Sequence, residues 1–241
     1  MRLMRRLLLI VLAGAVAASV GGCSDEVVCP GVGDARDPFI AGSVVARSGA
    51  RGDSTSVSVF CSADPLPGLF VVSVNGAAIE DISVAEPPGL LARLEADEVV
   101  WAPGTSCTLR VTTEYGFASA TATVPGDVSV SADQEVTLGD TLTINWTAAD
   151  GADYDRVETA LTDGDGTTAD WSVLTADTTT AGPPDGLPFA GPLSGRVSAI
   201  SGPFPDDGSD GNVTGAGWGF FTIEYGTAGT DFEASVVDSA R

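Results

Sequence analysis

The sequence predicts an all-β protein built from two consecutive β-sandwiches, and three observations carry that expectation. From about residue 38 onward, apolar and polar residues alternate at period 2, the pattern of strands with one buried face. Glycine, proline and aspartate cluster between the alternating stretches, as turns between short strands require. After residue 22 no stretch of useful length carries the 3.6-residue period of an amphipathic helix.

The first sandwich is expected over residues 38–126. Val57, Val59 and Cys61 alternate with Ser56, Ser58 and Phe60. Phe70, Val72 and Val74 follow and end at Asn75-Gly76, a dipeptide suited to a tight hairpin turn. Pro103-Gly104 opens a strand in which Cys107, Leu109 and Val111 point inward, and Glu114-Tyr115-Gly116 turns it into its partner. That partner buries Ala118, Ala120, Ala122 and Val124. Pro125-Gly126 then marks a boundary.

The second sandwich is expected over residues 127–226, leaving 227–241 as a polar tail. Leu142, Ile144 and Trp146 form its first clear strand, and Arg196 to Ser201 and Trp218 to Tyr225 are expected as its last strands. The stretch TINWTAADGADYDRVETAL (143–161) resembles strands B and C of a fibronectin type III domain, with a core Trp, a loop, then Tyr and Val. That family spaces the Tyr and Val two apart. Here Tyr154 and Val157 are three apart, which puts Asp155 in phase with Val157 and leads us to expect Asp155 at the strand's edge. The resemblance implies an immunoglobulin-like or fibronectin type III-like fold for both sandwiches.

The N-terminus carries a different kind of signal. Arg2, Arg5 and Arg6 precede an apolar run from Leu7 to Val20. The run is too short to span a bilayer as a helix and fits the apolar region of a secretory signal. Val20-Gly21-Gly22-Cys23 resembles the bacterial lipobox, which implies removal of residues 1–22 and lipidation of Cys23. Residues 23–37 then form a tether. Ser24, rather than an acid, follows the cysteine, and by that resemblance the address leans to the outer membrane. The arrangement also resembles a group of uncharacterised bacterial surface lipoproteins, through Pro103 to Val111, Thr121 to Gly126 and Trp146 to Tyr154. That resemblance implies location and architecture but no activity.

Charge excludes several function classes. The chain has 33 acidic residues, eleven basic ones and a formal charge of −22; all eleven are arginine, and histidine and lysine are absent. So acidic a chain repels nucleic acid, whose binding needs cations on the phosphates. It is likewise repelled by anionic lipid, so the expected membrane contact is the lipid on Cys23. Without histidine, Ser-His-Asp and Cys-His machinery cannot be assembled. Carboxylates alone remain for acid–base work, as in glycoside hydrolysis. We expect no enzyme activity.

With Cys23 lipidated, Cys29, Cys61 and Cys107 remain, enough for one intramolecular bridge. Cys61 lies late in its strand and Cys107 early in a strand running the same way, an offset too long for a disulfide. Cys29 precedes a strand antiparallel to that of Cys61, and Cys29–Cys61 is the expected pair.

Asp163, Asp165 and Asp170 form a candidate calcium site, since alternating oxygen ligands suit that ion, although a third alternating ligand and a Glu at the loop's end are missing and Asp-Gly-Asp-Gly also reads as a plain acidic turn. Asp206, Asp207, Asp210 and Asn212 make a second acidic loop. Arg51-Gly52-Asp53 spells an integrin-type tripeptide on a turn, and Trp171, Phe189, Phe204 and Trp218 are candidates for a sugar platform or for core. The Asn-x-Thr triplets at Asn145 and Asn212 carry no weight in a bacterial protein. No cofactor is expected beyond the calcium candidate. The functional expectation is a lipid-anchored, non-catalytic envelope protein, a scaffold or a binding module for a protein or glycan partner. The alternatives are a glycan- or calcium-dependent adhesion module and a carboxylate-based glycan-acting enzyme.

Overall fold

A computed structural model describes residues 34, 36–48, 54–85, 89–97, 101–183, 185–203, 211–227 and 230–238. The described chain is all-β, and its strands pack as two sandwiches with separate apolar cores.

The first sandwich has immunoglobulin-type strand order. One sheet runs β1 (Phe39–Ser48), β2 (Ser54–Ser62), β6 (Gly89–Asp97) and β5 (Asp81–Ala85) as successive antiparallel neighbours. The facing sheet has the order β4 (Ala77–Ile79), β3 (Phe70–Val74), β7 (Ser106–Thr113), β8 (Gly116–Thr123). The expected alternation holds: in β7, Cys107, Leu109 and Val111 are buried between exposed Thr108 and Arg110. Asn75 and Gly76 both take positive φ, 50° and 83°, in the turn between β3 and β4, where such dihedrals match the twist of the paired strands.

The second sandwich follows the fibronectin type III-like order. A three-stranded sheet of β9 (Val130–Ala132), β11 (Leu142–Trp146) and β14 (Thr179–Gly182) faces a larger one. The larger sheet contains β13 (Thr168–Thr175), β12 (Tyr154–Thr162), β15 (Gly191–Ser201), β18 (Asp231–Val237) and β10 (Glu135–Thr137), with β10 parallel to β18.

The chain's path departs from the sequence expectation in two places. Residues 231–237, read as part of a polar tail, form β18, which pairs with β15 from Gly191↔Val236 to Arg196↔Asp231 and buries Val236 in the second core. Alternating Phe232, Ala234 and Val236 with acids and serine disguised a half-buried strand as a solvated segment. Trp218 to Tyr225, read as the close of the second sandwich, instead lies in β17 (Trp218–Thr227) within the first. There β17 runs parallel to β1 from Phe39↔Trp218 to Ser48↔Thr227, and Phe221, Ile223 and Tyr225 join the first core. Residues 202–230 are thus a long connection from β15 to β18 that returns to the first sandwich before completing the second.

On its way this connection closes the open side of the first sandwich. β16 (Thr214–Gly215) pairs with β8 on one sheet, while β17 pairs with β1 on the other. Gly217 passes between them: a Cβ there would lie 2.9 Å from Ile40 Cδ1 and 3.1 Å from Ala118 Cβ. Gly219 presses on the β1 backbone, where an added Cβ would be 2.0 Å from the Ile40 carbonyl oxygen at φ +131°. Only glycine permits that approach. Asn212 covers the other side of β17 by mimicking a strand: its Nδ2 donates to the Phe221 carbonyl at 2.9 Å, and the Phe221 N–H donates to its Oδ1 at 2.7 Å.

β17 also reaches the second sandwich. Ala199↔Tyr225, Ile200↔Glu224 and Ser201↔Ile223 join β15 to β17, making one continuous sheet across both units. Both cores lie on the same face of that sheet, because Val197 and Ala199 share the side of Tyr225, Ile223 and Phe221.

Cys61 and Cys107 are both buried free thiols, and Cys29, the expected bridging partner of Cys61, lies outside the described residues. Registers measure the offset between the two thiols. Gly42, opposite Val59, meets Leu109 across the core, so Cys61 sits level with Val111 and Cys107 with Val57. Four residues of strand separate them, about 13 Å, well beyond a disulfide's Cα reach of ~7 Å. Burial pushes both thiols up to about 12, so at neutral pH neither is the reactive thiolate. Alkylation at pH 8 should therefore spare both in the folded protein and label both in denaturant, and peptide mapping should recover no 61–107 link. Phe221→Ala should destabilise the protein by ~3–5 kcal/mol in denaturant unfolding, the cost of emptying the centre of the first core.

Candidate functional site

The expected sites fall in separate places. Asp163 sits in the hairpin between β12 and β13, where its Oδ1 accepts the Asp165 N–H at 2.9 Å and the Thr167 N–H at 2.7 Å. These backbone donors, Thr167 foremost, hold its carboxyl below the usual aspartate range. That oxygen is engaged as a turn cap, and Asp170 lies on β13 opposite Ala160, several residues from the turn. Among the described residues no group of three His, Cys, Asp or Glu side chains is gathered to hold a metal. Asp206, Asp207 and Asp210 and the Arg51-Gly52-Asp53 triplet lie outside the described residues, as does Cys23.

The candidate aromatic platform is likewise dispersed. Trp171 and Phe189 pack on the second core, and the Trp171 ring lies against Gly182 of the opposite sheet, where an added Cβ would come within 2.3 Å. Trp218 belongs to the first sandwich and packs on Phe39, ring centroids 4.8 Å apart. Phe204 is outside the described residues. Asn145, on β11, accepts a hydrogen bond from the Thr179 hydroxyl at 2.8 Å.

Asp155 is the second residue of β12, near the strand's end as expected, but it is buried. Its phase with Val157 turns it into the second core, where its Oδ2 accepts the Trp146 indole N–H at 2.8 Å and, among the described residues, its Oδ1 meets no hydrogen-bond partner. The Trp146 and Asp155 pair thus satisfies the buried indole donor at the cost of a buried carboxylate. Desolvation raises the Asp155 pKa, opposed in part by the indole bond.

The opposite face of the continuous sheet carries an ion-pair network where the sandwiches meet. Glu224 of β17 is buried, with Arg156 of β12 at 2.8 Å and Arg47 of β1 at 3.6 Å; Arg47 also reaches Glu158 at 3.9 Å. Arg196 of β15 grips Asp231 of β18 with two nitrogens, at 2.6 and 3.1 Å. Three of the eleven arginines are thus committed to the junction, where isolated carboxylates would repel one another.

Among the described residues, an apolar surface interrupts the acidic exterior on the first sandwich. On the outer face of β3, β7 and β8, Val71, Thr112 and Phe117 form a cross-strand row. Leu69 and Tyr115 extend it at the end of the sandwich where β1 begins, and these four large apolar side chains are each 44–49 % exposed. The Arg110 guanidinium stacks on the Phe117 ring at 4.1 Å, and that of Arg36 lies 6.0 Å from the Tyr115 ring, both within cation–π range. Glu114, beside them, accepts the Gly68 and Leu69 N–H groups at 2.8 and 2.9 Å, which hold its carboxyl below the usual range. Tyr115 sits in the expected turn, and the alternation that buries Ala118 and Ala120 places Phe117 outward.

No known protein family matches the chain, and no curated protein matches it either.

A raised native pKa means that the folded state binds more protons than the unfolded one between ordinary aspartate values and the native value, so Asp155 favours folding at low pH and loses that contribution as pH rises through the native pKa. Asp155→Asn keeps an acceptor for Trp146 and removes the buried charge. It should raise the denaturant midpoint at pH 7, with the gap to wild type closing as pH falls towards 4.

Proposed function

We propose that this is a non-catalytic, lipid-anchored cell-envelope protein that serves as a rigid scaffold, presenting its second sandwich as a binding module for a protein or glycan partner. The observation that carries the reading is the shared sheet. β17 hydrogen-bonds to β1 on one edge and to β15 on the other, so the two sandwiches cannot hinge freely about the Pro125-Gly126 connection. A flexible linker would make inter-unit motion the default; a continuous hydrogen-bonded strand with a buried Glu224–Arg156 pair opposes it.

The anchor part rests on Val20-Gly21-Gly22-Cys23 and the charged and apolar stretches before it. Two or more acyl chains hold a protein stably at a membrane, whereas one does so marginally. The acidic body favours solubility in the envelope over association with nucleic acid.

In cells supplied with labelled palmitate, the wild-type protein should take up label, sediment with membranes and yield a mature N-terminus at Cys23. Cys23→Ala should abolish labelling and release the protein or leave its signal uncut. Wild-type protein that is unlabelled and still begins at Met1 would refute the anchor. For the scaffold, residual dipolar couplings should fit both sandwiches with one alignment tensor; two unequal tensors would mean independent units.

A further inference from the structure

We infer that the exposed face formed by Leu69, Val71, Tyr115 and Phe117 is a membrane-contact surface that seats the near end of the first sandwich on the phospholipid bilayer. The inference rests on the lipid anchor proposed at Cys23 and goes beyond it, because an acyl anchor on a tether fixes distance but not orientation.

Three observations converge on it. The first is position. β1 begins at the same end of the sandwich as the β7–β8 turn, as the approach of Arg36 to Tyr115 shows, and β8 leaves towards the second sandwich at the other end. The anchored segment therefore enters beside this face, while the second sandwich lies distal to it. The eleven steps from Cys23 to Asp34 can span at most about 40 Å, so the entry end stays within that reach of the surface.

The second is chemistry. Tyrosine and phenylalanine with flanking aliphatic side chains suit the headgroup region, where an aromatic body is apolar on one side and wet on the other. The third is charge. In a chain with three acids for every arginine, this face carries Arg36 and Arg110, each against an exposed ring. Glu114 turns its carboxylate to the Gly68 and Leu69 amides, while Asp37 and Asp34, which accepts the Arg36 N–H at 3.0 Å, flank Arg36. Arginine pairs with phosphate through its planar fork, and its stem lies along apolar surface while its head reaches polar groups. Rings at headgroup depth with guanidinium groups on lipid phosphates match this arrangement; an acidic body elsewhere keeps the rest of the protein off an anionic surface.

The test can be separated from acylation, because the chain contains no histidine. A hexahistidine tag placed ahead of Ser24 in a Cys23-free protein would be the sole strong chelating segment, and would tether the chain to phosphatidylcholine/phosphatidylglycerol vesicles doped with nickel-chelating lipid. Hydroxyl-radical footprinting then reads the side chains. Oxidation of Tyr115 and Phe117 should fall by about threefold or more on the vesicles relative to free protein, while that of Trp171 in the second sandwich stays unchanged. Phe117→Asp with Val71→Asp, both on an exposed face, should restore Tyr115 oxidation with the circular dichroism spectrum preserved. Equal oxidation of Tyr115 and Phe117 with and without vesicles would overturn the inference. So would protection that appears only when envelope proteins are added without lipid, which would make the face a protein-binding surface. Failure of palmitate labelling in cells would remove the anchor without altering the vesicle result, so the two claims fail separately.

Discussion

The pairing of β17 with two strands at once is the constraint on which the rest of the structure depends. Its left neighbour, β1, belongs to the first sandwich and its right neighbour, β15, to the second. Phe221, Ile223 and Tyr225 fill the first core from a segment that precedes the last strand of the second. Neither sandwich is therefore complete without chain that passes through the other. The first lacks its closing edge until residues 211–227 arrive, and the second lacks β18 until the chain has returned from that excursion. Such interleaving raises the sequence separation of native contacts, which slows folding, but it removes an exposed sheet edge that would otherwise invite pairing with another chain.

Electrostatics at the junction follows from the same topology. A strongly acidic chain placing β1, β12, β15 and β17 side by side would bring carboxylates together on the outer face. Arg47 and Arg156 meet Glu224, and Arg196 meets Asp231. The Glu224 carboxylate is buried, so its charge must be matched nearby; removal of one partner from such a pair leaves an uncompensated charge, a far larger penalty than the pair's net worth. The buried Glu224 carboxylate thus depends on Arg156 and Arg47.

Polarity on the two faces of the first sandwich divides its surface by role. Its side edge is consumed in closure by β16 and β17, and its distal end is occupied by the junction. The face of β3, β7 and β8 is left with Leu69, Val71, Tyr115 and Phe117 outward and two arginines over the rings. If the bilayer takes that face, the proposed anchor, the seated end and the distal second sandwich form one ordered arrangement: lipid, contact surface, rigid junction, presented module.

Alternation by itself determined the strands. Cys107, Leu109 and Val111 faced inward because period 2 leaves no other choice once one face is apolar, and Asn75-Gly76 fixed a turn because both residues tolerate positive φ. Charge and the missing histidine narrowed the chemistry in the same local way. Tertiary structure alone decided which sheet each strand joined. Trp218 to Tyr225 has the same local pattern whether it closes the second sandwich or the first, and only the fold shows that Gly217 and Gly219 approach β1. Asp155 shows the limit most clearly: its phase with Val157 was visible, but a carboxylate is acceptable in a core only where a donor such as the Trp146 indole reaches it, and that distance is set by packing between strands. Strand identity is a property of neighbouring residues along the chain, whereas sheet membership and burial of charge depend on partners tens of residues away.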